Sequence, residues 1–229
     1  MQGFQLDGPE IDRTRERFVR RNTAVQAVPF CPEIRIRTHG SMTDLWEALD
    51  GGQVDATGQP PYWCVPWVGG QALARYVLDN ASAFAGRRVL DVGSGSGLCA
   101  IAAARSGAAA VVANDIDPLS LSAIRLNADL NGVVVSRCGD DMSERDTPDC
   151  DVILAADMWY ERSLARRLTR WLRGLAAGGR LVLLGDMSRA HFSRSGLAHL
   201  ARYEIPTSEE IEQRAVTTAH VWRMLPADA

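Results

Sequence analysis

Lysine is absent from all 229 residues, so the 25 basic side chains are all arginine. Codon bias in a G+C-rich genome yields such a set, and the chemical consequence is a protein with no ε-amino group of its own to modify. Cysteine is sparse and unpatterned: Cys31, Cys64, Cys99, Cys138 and Cys150 stand singly, with no C-x-x-C pair. That excludes a disulfide framework and a zinc site, so no metal is expected and the thiols read as reduced. No apolar run approaches the roughly 18 residues of a membrane helix. The opening stretch "MQGFQLDGPEIDRTRER" lacks an apolar signal core and is too acidic for a transit peptide, so the expected setting is the cytoplasm, with no membrane partner. Basic excess is missing too: the net charge is −3, and no global field favours nucleic acid. Repeats and low-complexity tracts are absent.

What is present reads as one soluble core, with 46% hydrophobic and 23% charged residues. The expected organisation is an N-terminal helix and strand extension over 1–60, packed on a domain over 61–229, in a monomer. In the extension, "EIDRTRERFVRRN" (10–22) has helical spacing, "EIRIRT" (33–38) alternates like a strand, and "SMTDLWEALD" (41–50) predicts a short helix capped by Ser41 or Thr43. Residues 51–61 are a Gly/Pro-rich loop.

Beyond residue 70 strands and helices alternate: "RRVLDVG", "GLCAIAAARSG", "AAVVANDID", "DPLSLSAIRLNADLNG", "VVVSRCGD", "DVILAAD", "ERSLARRLTRWLRGLAA" and "GRLVLLGD". Such alternation predicts an α/β fold, a mostly parallel sheet with helices on both faces. The tail segments "ARYEIP" and "TTAHVWRML" are both strand-like and predict an antiparallel pair closing the sheet.

Between the first of these strands and its helix lies Asp91-Val92-Gly93-Ser94-Gly95-Ser96-Gly97, where glycines permit a tight turn and close approach to a ligand. The spacing is G-x-G-x-G, and Leu98 replaces the third glycine of the dinucleotide fingerprint. Asp115 ends the next strand, 18 residues past Gly97, where an acid binds ribose hydroxyls. Asp140 or Asp141 ends the third strand, within reach of an adenine amine. The bland alternative is three acids that cap helices. A hydride-transferring dehydrogenase on this fold would need the third glycine and a second domain.

This pattern resembles the seven-β-strand methyltransferases that use S-adenosylmethionine. The resemblance implies that Gly93, Ser94, Gly95 and Gly97 line the cofactor, with Asp91 near its methionine amino group and Asp115 on its ribose. Ile116, Asp140, Asp141 and Ala156 fall on the same cofactor side, and the paired tail strands match the reversed final hairpin of that superfamily.

After the fourth strand stands Asp157-Met158-Trp159-Tyr160, a D-x-x-Y pattern. With its flanks it resembles the lysine methyltransferases of the electron transfer flavoprotein β-subunit. The segments that carry this resemblance are "PPYWCVPWVGGQALARYVLDN" (60–80), "ANDIDP" (113–118), "ADMWYERSLARRLTRWL" (156–172), "LLGDMSRAHFS" (183–193) and "TTAHVWRM" (217–224). It implies catalytic roles for Asp157 and Tyr160, substrate contact for Trp159 and Glu161, and a cofactor contact for Trp67, with Ala156 where the family has glycine. Alternatively Trp159 and Tyr160 pack the start of the following helix; of the two, Trp159 is expected to be the more structural and Tyr160 the substrate-facing one. The similar "QPPYW" (59–63) precedes the glycine loop and is not expected to act as an acceptor motif in the usual way. The implied activity is protein-lysine N-methylation with S-adenosyl-L-methionine, giving S-adenosyl-L-homocysteine. Other acceptors, a ribosomal-protein lysine or a small amine, are the alternative, and a non-catalytic binding module is the rival from another class.

Chemically the assignment is coherent. Methyl transfer needs a neutral amine aligned behind the methyl group, so positioning and desolvation supply most of the help. A carboxylate attracts the incoming ammonium, and aromatic walls both lower its pKa and hold methylated cations.

Overall fold

The computed structural model describes residues 9–50, 58–142, 149–207 and 215–226. Part of the expected 51–61 loop, and the acidic connection between the tail strands, lie outside the described residues. The chain forms helices α1 (Pro9–Asn22), α2 (Met42–Asp50), α3 (Val68–Asp79), α4 (Leu98–Arg105), α5 (Pro118–Leu130) and α6 (Arg162–Ala177). Its strands are β1 (Ala24–Val28), β2 (Cys31–Thr38), β3 (Arg88–Val92), β4 (Ala110–Asn114), β5 (Ser136–Cys138), β6 (Val152–Ala156), β7 (Leu181–Asp186), β8 (Leu197–Pro206) and β9 (Val216–Met224).

Seven strands form one sheet in the order β5-β4-β3-β6-β7-β9-β8. β5 through β7 run parallel, whereas β9 pairs antiparallel with both β7 and β8, as the tail pattern predicts. β3 and β6 are central, and their apolar runs are buried on both faces, which is why they read as unbroken hydrophobic text. β3 neighbours β4 on one side and β6 on the other, so the strand order reverses there. In open α/β sheets a crevice forms at that point, beyond the carboxyl ends of the strands. Val92 pairs with Ala155, which sets Gly93 and Ala156 side by side at the crevice.

Two apolar layers flank the sheet. On one face Leu73 and Val77 of α3 and Ile101 of α4 pack on Val89, Leu154 and Leu183. On the other, α6 presents Leu168, Leu172 and Leu175, at helical spacing, to Leu90, Ile153 and Leu184. A third cluster joins Phe18 and Val19 of α1, Leu45 and Leu49 of α2, and Trp63 to Leu119 and Leu126 of α5.

The N-terminal hairpin β1–β2 adds a strand that the sequence pattern missed; "AVQAV" is largely exposed and has no clean alternation. Its outer edge is sealed by side chains of α5. Asn127 and Asn131 accept the amides of Arg37 and Arg35 at 2.9 and 3.0 Å. Ser41 caps α2 as expected, accepting the Asp44 amide at 3.2 Å. β5 is shorter than "VVVSRCGD" suggested: it pairs only at the sheet edge, and Val134 is exposed.

Candidate active site

The cavity at the reversal point measures about 420 Å³. Its walls come from the chain at the carboxyl ends of five strands, β3 to β7, from α5 and α6, and from the segment before α3. Gly93, Gly95, Asp115, Ile116, Asp141, Ala156, Asp157, Tyr160, Glu161 and Trp67 all line it, so ten sequence-derived candidates share one space.

At one end the glycine loop is held by acids. The carboxylate of Asp115 accepts the Gly95 amide at 2.8 Å and the Asp117 amide at 3.0 Å. Desolvation pushes its pKa up to about 6. Gly93 sits at φ +62°, and a Cβ there would fall 2.2 Å from the Met158 sulfur, so this side chain bridges the loops after β3 and β6. Ile116, 65% exposed, faces the same space as Met142, Leu168 and Trp171. An exposed isoleucine opposite apolar side chains, beside a carboxylate, is a setting for a flat ring joined to a polyol.

At the other end stands Asp157, at φ +56°. A left-handed acid at a strand end reverses the chain abruptly. Its amide donates to the Gly185 carbonyl at 3.0 Å, and its Oδ2 accepts the Gly70 amide at 2.8 Å, inside the first turn of α3. A carboxylate is favoured there by the unpaired amides and the helix dipole. Oδ1 accepts from Nε and Nη2 of Arg189 at 3.1 and 3.0 Å. Burial raises the Asp157 pKa, while Arg189 and the amides oppose that shift. Arg189 in turn lies 5.3 Å from the Trp67 ring centre, and its own amide donates to Asp186 at 2.7 Å.

Aromatic rings complete this end. Tyr62 stands between Trp67 and Tyr160, with ring centres 6.0 and 5.5 Å away. Trp67 Nε1 donates to the Tyr62 carbonyl at 2.8 Å, fixing the pair. Tyr160 is 47% exposed, and partial desolvation raises its hydroxyl pKa, keeping it protonated.

Five expected contacts are placed elsewhere. Trp159 is not a cavity residue: it is 2% exposed, its indole donates to Thr169 at 3.0 Å, and it packs edge-on against Phe192. The reversal at Asp157 turns it into the core. Asp91 is buried within β3 and accepts from Ser94 Oγ and, at 3.0 Å, from the Ala100 amide, so both residues brace the glycine loop from behind. Burial pushes the Asp91 pKa up to about 7. Gly97 caps the start of α4 at φ +83° and lies against Ile124. Asp140 contributes its carbonyl to Asn114 Nδ2 at 2.8 Å, leaving Asp141 to line the cavity, paired with Arg167 at 3.0 Å.

The cavity also holds residues that were not singled out as site residues, although "PPYWCVPW" (60–67) reads as a segment folding over the cofactor. Gln59, Pro60 and Tyr62 come from "QPPYW", which reaches the acceptor end although it precedes the glycine loop. Trp63 of that stretch is fully buried instead. The proline-rich segment was the available signal; Arg189 had none, because nothing local marks it.

A family model described as ribosomal protein L11 methyltransferase matches residues 71–168. A Danio rerio protein named electron transfer flavoprotein beta subunit lysine methyltransferase is 45% identical over 169 residues, 71% of this chain and 66% of that protein. The Xenopus laevis protein of the same name is 38% identical over 215 residues, 91% of this chain and 86% of that one. This chain belongs to the electron transfer flavoprotein beta subunit lysine methyltransferase family. It is therefore a methyltransferase. The fold agrees: magnesium protoporphyrin IX methyltransferase from Synechocystis, solved with bound S-adenosylmethionine, superposes with a TM-score of 0.51 at 18% identity. That superposition covers 69% of this chain and 80% of the other.

Proposed function

We propose that this methyltransferase uses S-adenosylmethionine to methylate lysine side chains of the electron transfer flavoprotein β-subunit. The observation that carries the reading is a single cavity running from Asp115 and Gly95 to Asp157, Trp67 and Tyr160. The residues suit the cofactor: Asp115 for the ribose hydroxyls, Ile116 and Met142 beside the adenine, and the glycine loop where a side chain would obstruct. Bound S-adenosylmethionine supplies an electrophilic methyl group on a cationic sulfur and leaves as S-adenosylhomocysteine.

The acceptor end is built for a cation that must lose a proton. Arg189 already shows the chemistry that fits there, a cation on Trp67 and on Asp157 Oδ1. A lysine ammonium offers the same N–H donors, so Asp157 is the anchor it shares with Arg189 or takes from it. Tyr62, Trp67 and Tyr160 hold the cation by cation–π contacts of about 0.5–2 kcal/mol each. Exclusion of water by the same rings lowers the amine pKa and favours the neutral nucleophile. Glu161, at the rim, attracts the ammonium before it is desolvated.

Residues 1–60 are an extension on the catalytic domain 61–229. A cytoplasmic setting is supported by five cysteines that are all free and buried. Among the described residues no helix is long and apolar enough to cross a membrane.

Incubation with tritiated S-adenosylmethionine and purified electron transfer flavoprotein tests the reading. Label on β-subunit lysines is expected. Label confined to a ribosomal protein or a small amine from lysate would replace this acceptor.

A further inference from the structure

A second groove, of about 510 Å³, lies between α6 and the chain at His191 and Ser193. Arg162, Arg166, Arg170 and Arg173 line it, all exposed. Their spacing of four, four and three residues puts them in one stripe along the helix. Among the described residues none of the four has a carboxylate partner, and α6 itself contains no acid. Arg173 alone makes a hydrogen bond, to the Ser195 carbonyl at 3.0 Å.

This stripe does not serve the helix. Like charges at i,i+4 cost about 0.2–0.5 kcal/mol per pair. Arg162 opens the first turn, where the helix dipole disfavours a cation. The chain as a whole carries net charge −3, so the stripe is a local feature and not part of a general basic surface.

Its position relates it to catalysis. Glu161, Ser163, Leu164, Arg167, Leu168 and Trp171 line the catalytic cavity. The next face of the same helix lines the groove, which therefore begins one residue from the cavity rim. From Arg162 to Arg173 the helix rises about 16 Å, the span of roughly five extended residues.

We propose that the α6 groove docks an acidic, extended segment of the protein substrate beside its target lysine. This rests on the lysine-methyltransferase reading above. A concave groove about five extended residues long fits a peptide better than a flat bilayer, and among its described lining residues His191 is the one ring, where single-stranded nucleic acid stacks successive bases on several.

The test uses the full chain carrying Arg166→Glu and Arg170→Glu, neither of which touches the catalytic cavity. Binding of a fluorescein-labelled Asp/Ser peptide is measured by anisotropy. Wild type is expected to bind it, and the double variant to lose about tenfold or more in affinity. Raising NaCl from about 50 to about 300 mM should weaken the wild type only. With electron transfer flavoprotein as substrate, KM should rise about tenfold while kcat and S-adenosylmethionine affinity hold. Thermal unfolding should show no loss of stability, because repulsion is relieved; should the variant unfold, the Arg→Gln pair replaces it. Unchanged peptide affinity and unchanged KM overturn the proposal. So does tighter binding to phosphatidylglycerol vesicles or to a single-stranded oligonucleotide than to the peptide. Peptide binding without any transfer to the flavoprotein would uphold the groove and remove the substrate assignment instead.

Discussion

Gly69 of α3 and Gly185 of β7 meet backbone to backbone: a Cβ on Gly185 would fall 2.2 Å from the Gly69 carbonyl oxygen, and one on Gly69 would fall 2.6 Å from that of Gly185. This approach brings the first turn of α3 down onto the sheet, where Gly70 reaches Asp157. Gly185→Ala should therefore cost about 1–3 kcal/mol through overpacking. Thermal unfolding reads the loss, and methyl transfer should fall with it as the helix start retreats from Asp157. An unchanged melting temperature would show that the helix can shift freely.

Asp157→Asn keeps the shape of the side chain but strips its charge, weakening its pairing with Arg189. Transfer to the acceptor should drop on the order of a hundredfold, because a misplaced amine costs that much. S-adenosylmethionine affinity, measured by calorimetry, should stay within about threefold, since the residues proposed to hold it lie at the other end. Near-normal turnover would remove Asp157 from the acceptor site.

Asp115→Asn addresses that other end. Loss of a charge-assisted hydrogen bond of about 1.5–3 kcal/mol should weaken cofactor binding roughly tenfold to a hundredfold. The wild-type carboxyl sits at about 6, so affinity should also fall as pH drops through that value and the acceptor oxygen protonates. Affinity that ignores both the substitution and the pH would exclude the ribose role.

Asp186 contributes to the pH dependence of stability. Burial pushes its pKa from 3.8 to about 7, and the nearby Asp157 charge adds to the shift. Between these values the folded chain holds a proton that the unfolded chain has released, so stability is lost as pH rises toward 7. Asp91, raised to about 7, acts with the same sign. Asp186→Asn should flatten this slope and raise the melting temperature at pH 8 by about 2–4 °C, on the order of 1 kcal/mol. A melting temperature at pH 8 that exceeds the pH 5 value in the wild type would contradict the sign.

Trp159→Phe separates packing from substrate contact. It removes the indole donor to Thr169 and should cost about 1–2 kcal/mol of stability. KM for the protein substrate should not move; a rise in KM at unchanged stability would return Trp159 to the channel.

The contrast between Trp159 and Trp67 marks how far the sequence could be read. The sheet, its reversed hairpin and the meeting of the glycine loop with Asp115 at one crevice were legible because such groups stand at strand ends in a local pattern. That Trp159 packs inward while Tyr160 faces the cavity was legible only as the favoured of two readings, because it depends on a left-handed turn at Asp157 that the residue type does not require. Asp91 was legible as important but not as a brace, since its partner Ala100 belongs to the next helix. Tyr62 and Arg189 escaped for a related reason: they reach the cavity from segments on either side of the central strands, and only the closed sheet brings them together.

That convergence has a consequence for the life of the chain. Asp157 is fixed by Gly70, 87 residues earlier, and by Arg189, 32 residues later. Neither contact exists until α3 has settled on β7 and the chain beyond β7 has been made. The position of the Asp157 carboxylate is thus a property of the finished fold and not of any one segment of the chain.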